Sequence, residues 1–183
     1  MNTIDSIINA VYNNKRLEPH EAVLLFQCDV ATLGVLADYR REQIVPGNEV
    51  GFVIDRIINY SNRCQAMCKF CAFHAQAGKV QSYDLTVDDI LQKIDELVHI
   101  GGTQVMLQGG LHPDYTLQDY VTMIKTIKQH YPDIYLHSFS PSEIVHITKR
   151  SGSTIDAIID TLQQAGLDSI TGASDLLVDA IRK

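Results

Sequence analysis

From residue 50 onward, short runs of β-branched and aromatic residues alternate with longer stretches of helical period, and few folds admit that alternation. Val50–Tyr60 reads as a strand, because its side chains suit a pleated, half-buried surface. Thr86 and Asp89 have capping-box spacing and open a helix whose stripe is Ile90, Ile94, Leu97 and Val98, stopped by Gly101-Gly102. Gln104–Leu107 reads as a second strand. Thr116 and Asp119 open another helix, with Leu117, Tyr120, Val121, Ile124 and Ile127 on one side. Ile134–His137 is a third strand, and Ser140 opens a helix with Pro141 at its first position, where a missing N–H costs nothing. A helix from Ser153 turns Ile155, Ile158, Ile159 and Leu162 inward. Leu167–Ile170 is a fourth strand candidate, followed by an amphipathic tail carrying Leu176, Leu177, Ala180 and Ile181.

Strand and helix in this rhythm predict an α/β chain with a parallel sheet. Four βα units are half of an eight-fold barrel, which typically takes about 250 residues. The chain has 183. Residues 1–45 read as an N-terminal helical segment and 46–183 as a partial βα barrel, with Pro46-Gly47-Asn48 as punctuation. In the N-terminal part, the stripes are Ile4, Ile7, Ile8 and Val11; then Ala22, Val23, Leu25 and Phe26; then Leu33, Leu36, Ala37 and Tyr39. An open parallel sheet with a bare face needs cover, from a second copy of the chain or from a chain supplying a C-terminal half.

The charge balance, 15 Lys+Arg against 22 Asp+Glu, lacks the basic footprint of a nucleic-acid binder. No apolar run is long enough to span a membrane and no secretory signal opens the chain, so the cytoplasm is expected. In that compartment clustered cysteines read as metal ligands or redox groups before disulfides. Cys28 sits in an apolar helical stretch and reads as a small buried hydrophobe. Cys64, Cys68 and Cys71 crowd onto one loop after the first strand as C-x3-C-x2-C. Three thiolates hold three corners of a 4Fe–4S cluster and leave one iron open for a ligand. His74 completes a Cys3His set, so structural zinc is the alternative. The loop's place after a barrel strand favours the cluster.

Asn59–Phe73, with its three cysteines, resembles the cluster motif of the radical S-adenosylmethionine (radical SAM) superfamily. Gln108–Asp114, His137–Glu143, Ser151–Ile170 and the stretch from Pro46 to Arg56 resemble its branch of futalosine-pathway menaquinone enzymes and deazaflavin-cofactor synthases, most of all the cyclases. The resemblance runs from about residue 20 to the end and implies a radical SAM barrel cut to its first four βα units. Members are about twice as long, and Ile57 and Ala75 stand where the branch usually has asparagine and arginine.

By that resemblance Cys64, Cys68 and Cys71 hold the cluster. SAM chelates the open iron, and its cleavage yields a 5′-deoxyadenosyl radical that takes hydrogen from the substrate. Phe70 corresponds to a position near the SAM adenine. Gln108, Gly109 and Gly110 correspond to the segment that receives the SAM amino group. His112, His137 and Glu143 are weaker substrate-facing candidates. Each histidine also reads as a structural one, and Glu143 as a capping-box residue. Asp55 and Arg56 read as a buried pair without chemistry. The implied reaction is cyclisation of dehypoxanthine futalosine, a nucleoside-derived substrate, in menaquinone biosynthesis, with an electron donor such as flavodoxin or ferredoxin. The alternatives are aminofutalosine synthesis, a deazaflavin-synthase reaction, a zinc-holding structural module, and a fragment without activity.

Overall fold

The computed structural model describes residues 3–66, 68–75 and 80–172. The chain divides into two compact units, Met1–Gly51 and Phe52–Lys183.

In the first unit, helix α1 (Ile4–Tyr12) is capped by Thr3 and Ser6 and buries Ile7 and Val11. It packs against α3 (Val30–Ile44), where Leu36 is buried. The Tyr39 hydroxyl donates to the Tyr12 carbonyl at 2.9 Å, and the two rings meet edge to face. Between them, α2 (Pro19–Leu24) gives way to a 3-10 turn over Leu25–Gln27. This corrects the inward stripe expected there: Val23 is 64% and Phe26 91% exposed. Cys28 is half-buried and extended rather than a core residue in a helix. The reason is the next residue. Asp29 caps α3 by accepting from the Thr32 N–H and hydroxyl at 2.9 and 2.7 Å, and a continuous helix would forfeit that cap.

The second unit is built on a parallel sheet in the order β1–β2–β3, with β1 Asp55–Asn59, β2 Gln104–Gln108 and β3 Tyr135–Leu136. Ile58 pairs with Leu107 and Val105 with Leu136. Helices α4 (Val87–His99), α5 (Leu117–His130), α6 (Pro141–Ser151) and α7 (Ile155–Ala165) follow as the caps predict. Thr86 with Asp89, Thr116 with Asp119 and Ser140 with Glu143 form capping boxes. One face of the sheet, carrying Ile58, Val105, Leu107 and Leu136, is buried with Ile94, Ile124, Ile127, Ile147 and Leu162 from the helices. Alternation turns Ile57, Asn59, Met106, Gln108 and Tyr135 to the other face, where Ile57 is 58% exposed.

Several expectations shift. The first strand begins at Asp55, whose register partner Gln104 is the first residue of β2; one further bond, from the Thr103 N–H to the Ile54 carbonyl, precedes the ladder. Among the described residues the fourth strand reduces to one parallel bridge, His137 with Ser169. There the Asp168 carboxylate takes the Leu136 N–H and the Lys128 ammonium, both at 2.7 Å, so a side chain fills a place a ladder would use. Val98 and Ile155 are exposed at the margins of their helices, and α7 is capped by Thr154 rather than Ser153. Asp55 and Arg56 form no pair, since neighbours in a strand point to opposite faces. Arg56 instead reaches Glu96 and the Lys93 carbonyl on α4. The helix expected over Leu176–Ile181 lies outside the described residues. No described helix is long and apolar enough to cross a membrane.

Candidate active site

The loop that leaves β1 is pinned before it reaches the first cysteine. Ser61 bridges to Asp84, its hydroxyl donating to the carboxylate at 2.6 Å. The Asn62 amide donates to the Gln81 carbonyl and accepts from the Tyr83 N–H, both at 2.9 Å. Arg63 pairs with Asp84 at 3.0 Å and with Asp114. Burial pushes the Asp84 carboxyl up, but hydrogen bonds from Ser61, Arg63 and His112 outweigh it and hold the group below its usual range. These contacts leave Cys64 at a fixed point beside the end of β2.

Cys64 Sγ accepts the Leu111 N–H at 3.2 Å and the Ala66 N–H at 3.4 Å, while the Gln65 N–H returns to the Leu111 carbonyl at 3.0 Å. The turn after β2 presses in from the other side. A Cβ on Gly110, whose φ is +71°, would sit 2.7 Å from Cys64 Sγ; one on Gly109 would sit 2.0 Å from the Tyr60 ring. Only glycine fits either place.

Glu143 ties this turn to α6. One carboxylate oxygen accepts from the Tyr60 hydroxyl at 2.9 Å and from the Gly109 and Gly110 N–H groups at 3.1 Å each. The other accepts from the Ser140 N–H and hydroxyl at 2.7 and 2.8 Å. Burial first, and the neighbouring Glu143 charge second, push the Tyr60 phenol well above its usual range, so it donates as a neutral hydroxyl.

A cavity of about 280 Å3 opens at the C-terminal ends of β1 and β2. Its wall includes Cys64, Cys71, His74, Gln108, Gly109 and Glu143. Of the residues singled out from sequence, Cys64, Cys71, Gln108, Gly109, Gly110 and Glu143 thus come together. Cys68 lies on the same loop, its carbonyl taking the Cys71 N–H at 3.1 Å; Phe70, between them, is 43% exposed and off the cavity wall. His112 is fully buried and occupied at both nitrogens, with Nε2 against Asp84 at 2.9 Å and Nδ1 accepting from Asp114 and Tyr115 N–H groups. That is the geometry of a structural histidine. His137 pairs through Nδ1 with the Ser169 hydroxyl at 2.6 Å, also away from the cavity wall. Sequence reasoning missed Tyr60, Ser61, Asn62 and Asp84, whose partners lie too far along the chain to leave a local pattern.

The donor set fits a 4Fe–4S cluster with a bound ligand. Three thiols stand on one loop, and glycines keep a turn where side chains would fill the space beside Cys64. Among the described residues no three His, Cys, Asp or Glu converge on one point, so the three thiols share a loop without yet meeting, and the choice of cluster over zinc rests on the family and not on their convergence. His74 Nδ1 lies 3.1 Å from the Cys71 carbonyl oxygen and its Nε2 has no partner among the described residues.

Comparison with known proteins gives the family. The family model described as the radical SAM superfamily matches residues 58–182. The chain belongs to the radical SAM superfamily. Its members use a 4Fe–4S cluster and SAM. A cyclic dehypoxanthine futalosine synthase of Halalkalibacterium halodurans is 36% identical over 182 residues, covering 98% of this chain and 49% of that protein. A 5-amino-6-(D-ribitylamino)uracil–L-tyrosine 4-hydroxyphenyl transferase of a Cyanothece species is 37% identical over 191 residues, covering 99% and 50%. The chain therefore spans about half the length of the curated relatives it matches. Among solved structures, methylornithine synthase superposes with a TM-score of 0.60 at 17% identity, over 91% of this chain and 58% of that one. HydG, a maturase of the FeFe-hydrogenase, gives 0.61 at 20%, over 92% and 45%. These two bear on the fold alone, an α/β chain with a parallel sheet of radical SAM type.

Proposed function

We propose that this chain carries the cluster- and SAM-binding half of an enzyme that cyclises dehypoxanthine futalosine in menaquinone biosynthesis. The observation that carries the reading is the cysteine loop after β1 closed against the Gly109–Gly110 turn, in a chain 36% identical to such a synthase along nearly its whole length. Cys64, Cys68 and Cys71 would hold the cluster. With SAM bound, that group supplies one-electron chemistry and hydrogen abstraction from a nucleoside-derived substrate.

The protein's own part is to place and shield. The Gly109 and Gly110 N–H groups are engaged by Glu143, and the Gly110 carbonyl takes the His112 N–H at 3.0 Å. The Gly109 carbonyl, in the turn that closes on Cys64, is the proposed acceptor for the SAM amino group. Gln108 borders it; Phe70, exposed and off the cavity wall, would reach the adenine only through its backbone or a shift of the loop. Glu143 holds the turn rather than the substrate, and His112 holds the Asp84 network. His137 faces a substrate only from the sheet's open side. We place the protein in the cytoplasm, with flavodoxin or ferredoxin as electron donor and a second copy or a C-terminal-half chain completing the barrel.

The test is anaerobic reconstitution with iron and sulfide, followed by metal analysis and EPR of the reduced protein with and without SAM. About four irons per chain and a SAM-dependent signal are expected; zinc, or a signal that ignores SAM, refutes the reading. Dehypoxanthine futalosine is then compared with tyrosine plus 5-amino-6-ribitylaminouracil. The second reading, a hydroxyphenyl transferase, rests on the 37% identity to that enzyme and gains if only the latter pair is consumed.

A further inference from the structure

We propose that His74 is a SAM-binding residue, its Nε2 accepting a hydrogen bond from an O–H or N–H of the bound cofactor. This rests on the reading of the cavity as the SAM site. His74 is 7% exposed and lines the cavity. Its Nδ1 lies 3.1 Å from the Cys71 carbonyl oxygen. A carbonyl only accepts, so Nδ1 carries the hydrogen, and in that tautomer Nε2 is left as an acceptor. That acceptor is buried and has no partner among the described residues. Buried polar groups are almost always paired, and an exception calls for a missing donor.

Asn59 and Gln108 on the wall are only half-buried, and its other polar side chains are engaged. Ser61 donates to Asp84, Asn62 is used at both ends, and Glu143 accepts from five donors. The other buried orphan among the described residues, the Tyr120 hydroxyl, belongs to an aromatic cluster with Tyr60, Tyr115 and Phe139 and is not on the cavity wall. His74 is also tied to the third cysteine of the motif through the Cys71 carbonyl. Its position therefore follows the cluster loop, and the molecule that meets it is the one seated on the cluster.

The experiment loads wild type, H74F and H74Q with cluster and measures iron per chain. SAM is then titrated, without substrate, against the EPR signal of the reduced cluster. Phenylalanine keeps a planar ring and removes the acceptor, while glutamine keeps an acceptor. We expect equal iron in all three, a half-saturating SAM concentration about tenfold higher in H74F, and H74Q within about threefold of wild type. The pair H74L and H74Q repeats the comparison without relying on the ring. An H74F and H74L response equal to wild type overturns the proposal alone. Loss of iron in every variant overturns it too, by making His74 a metal ligand. A loaded wild type that ignores SAM overturns the parent reading and this one together.

Discussion

Replacing Glu143 with glutamine keeps the side chain's shape and removes its charge, which makes it a sharp probe of the turn beside Cys64. The carboxylate accepts from five donors: the Tyr60 hydroxyl, the Gly109 and Gly110 N–H groups, and the Ser140 N–H and hydroxyl. An amide has one oxygen and one NH2. With its nitrogen toward Ser140, the hydroxyl can rotate to accept but the Ser140 N–H is orphaned. With its nitrogen toward Tyr60, both glycine N–H groups are orphaned. The better orientation loses one buried donor, about 1–3 kcal/mol, and weakens the remaining bonds by removing their ionic character. The expected total is about 2–4 kcal/mol. With a urea slope of about 2 kcal/mol per molar, the unfolding midpoint falls by about 1–2 M. Urea unfolding followed by far-UV circular dichroism reads this directly. The same variant should also hold cluster less tightly, since the turn it releases is the one packed on Cys64. A midpoint within about 0.3 M of wild type would refute the claim that Glu143 is the keystone of the turn.

Gly110→Ala should cost about 1–2 kcal/mol in backbone conformation alone, because φ is +71°, and its Cβ meets Cys64 Sγ at 2.7 Å; iron per chain after reconstitution should fall well below wild type. Ser140→Ala removes the cap of α6 and should lower stability by about 1–2 kcal/mol in the same urea assay, with less effect on cluster retention than Glu143→Gln. Asp84 is depressed in the folded state, so its contribution is present above its ordinary value of 3.8 and is lost as pH falls through the lower folded value. Asp84→Asn should therefore weaken the protein at pH 6 and flatten the fall in stability below about pH 4, read as thermal midpoint against pH; an unchanged slope would show that the Ser61–Arg63–His112 hub contributes nothing.

The parts of this fold legible in the sequence are the local ones. Capping boxes at Thr86, Thr116 and Ser140 name their helices because both partners lie within one turn. The cysteine spacing and the paired glycines are legible for the same reason. What the sequence hid depends on partners far away. Nothing near Val50 says that the ladder with β2 will begin at Asp55, and nothing near Leu167 says that Asp168 will occupy the Leu136 N–H. Glu143 is readable as a cap through one oxygen, while the other oxygen serves Tyr60, 83 residues earlier. Phe139, buried at a φ of 61°, has no local signal, since aromatic residues rarely adopt that conformation. The stripe of Val23 and Phe26 misled because helical period was counted across a stretch that Asp29 needs extended.

The same network bears on which chemistry the cavity suits. General acid–base catalysis needs a side chain free to give or take a proton where the substrate sits. Around this cavity such side chains are committed elsewhere. Glu143 accepts from five donors, His112 is held at both nitrogens, and Tyr60 is kept a neutral phenol. The wall also carries Cys64, Cys71 and His74, whose Nε2 has no partner among the described residues. Thiols are metal donors, and an unpaired ring nitrogen is open to a ligand. A wall of that composition grips and orients a reactive group brought to it, and the rigid polar scaffold behind it fixes where that group points.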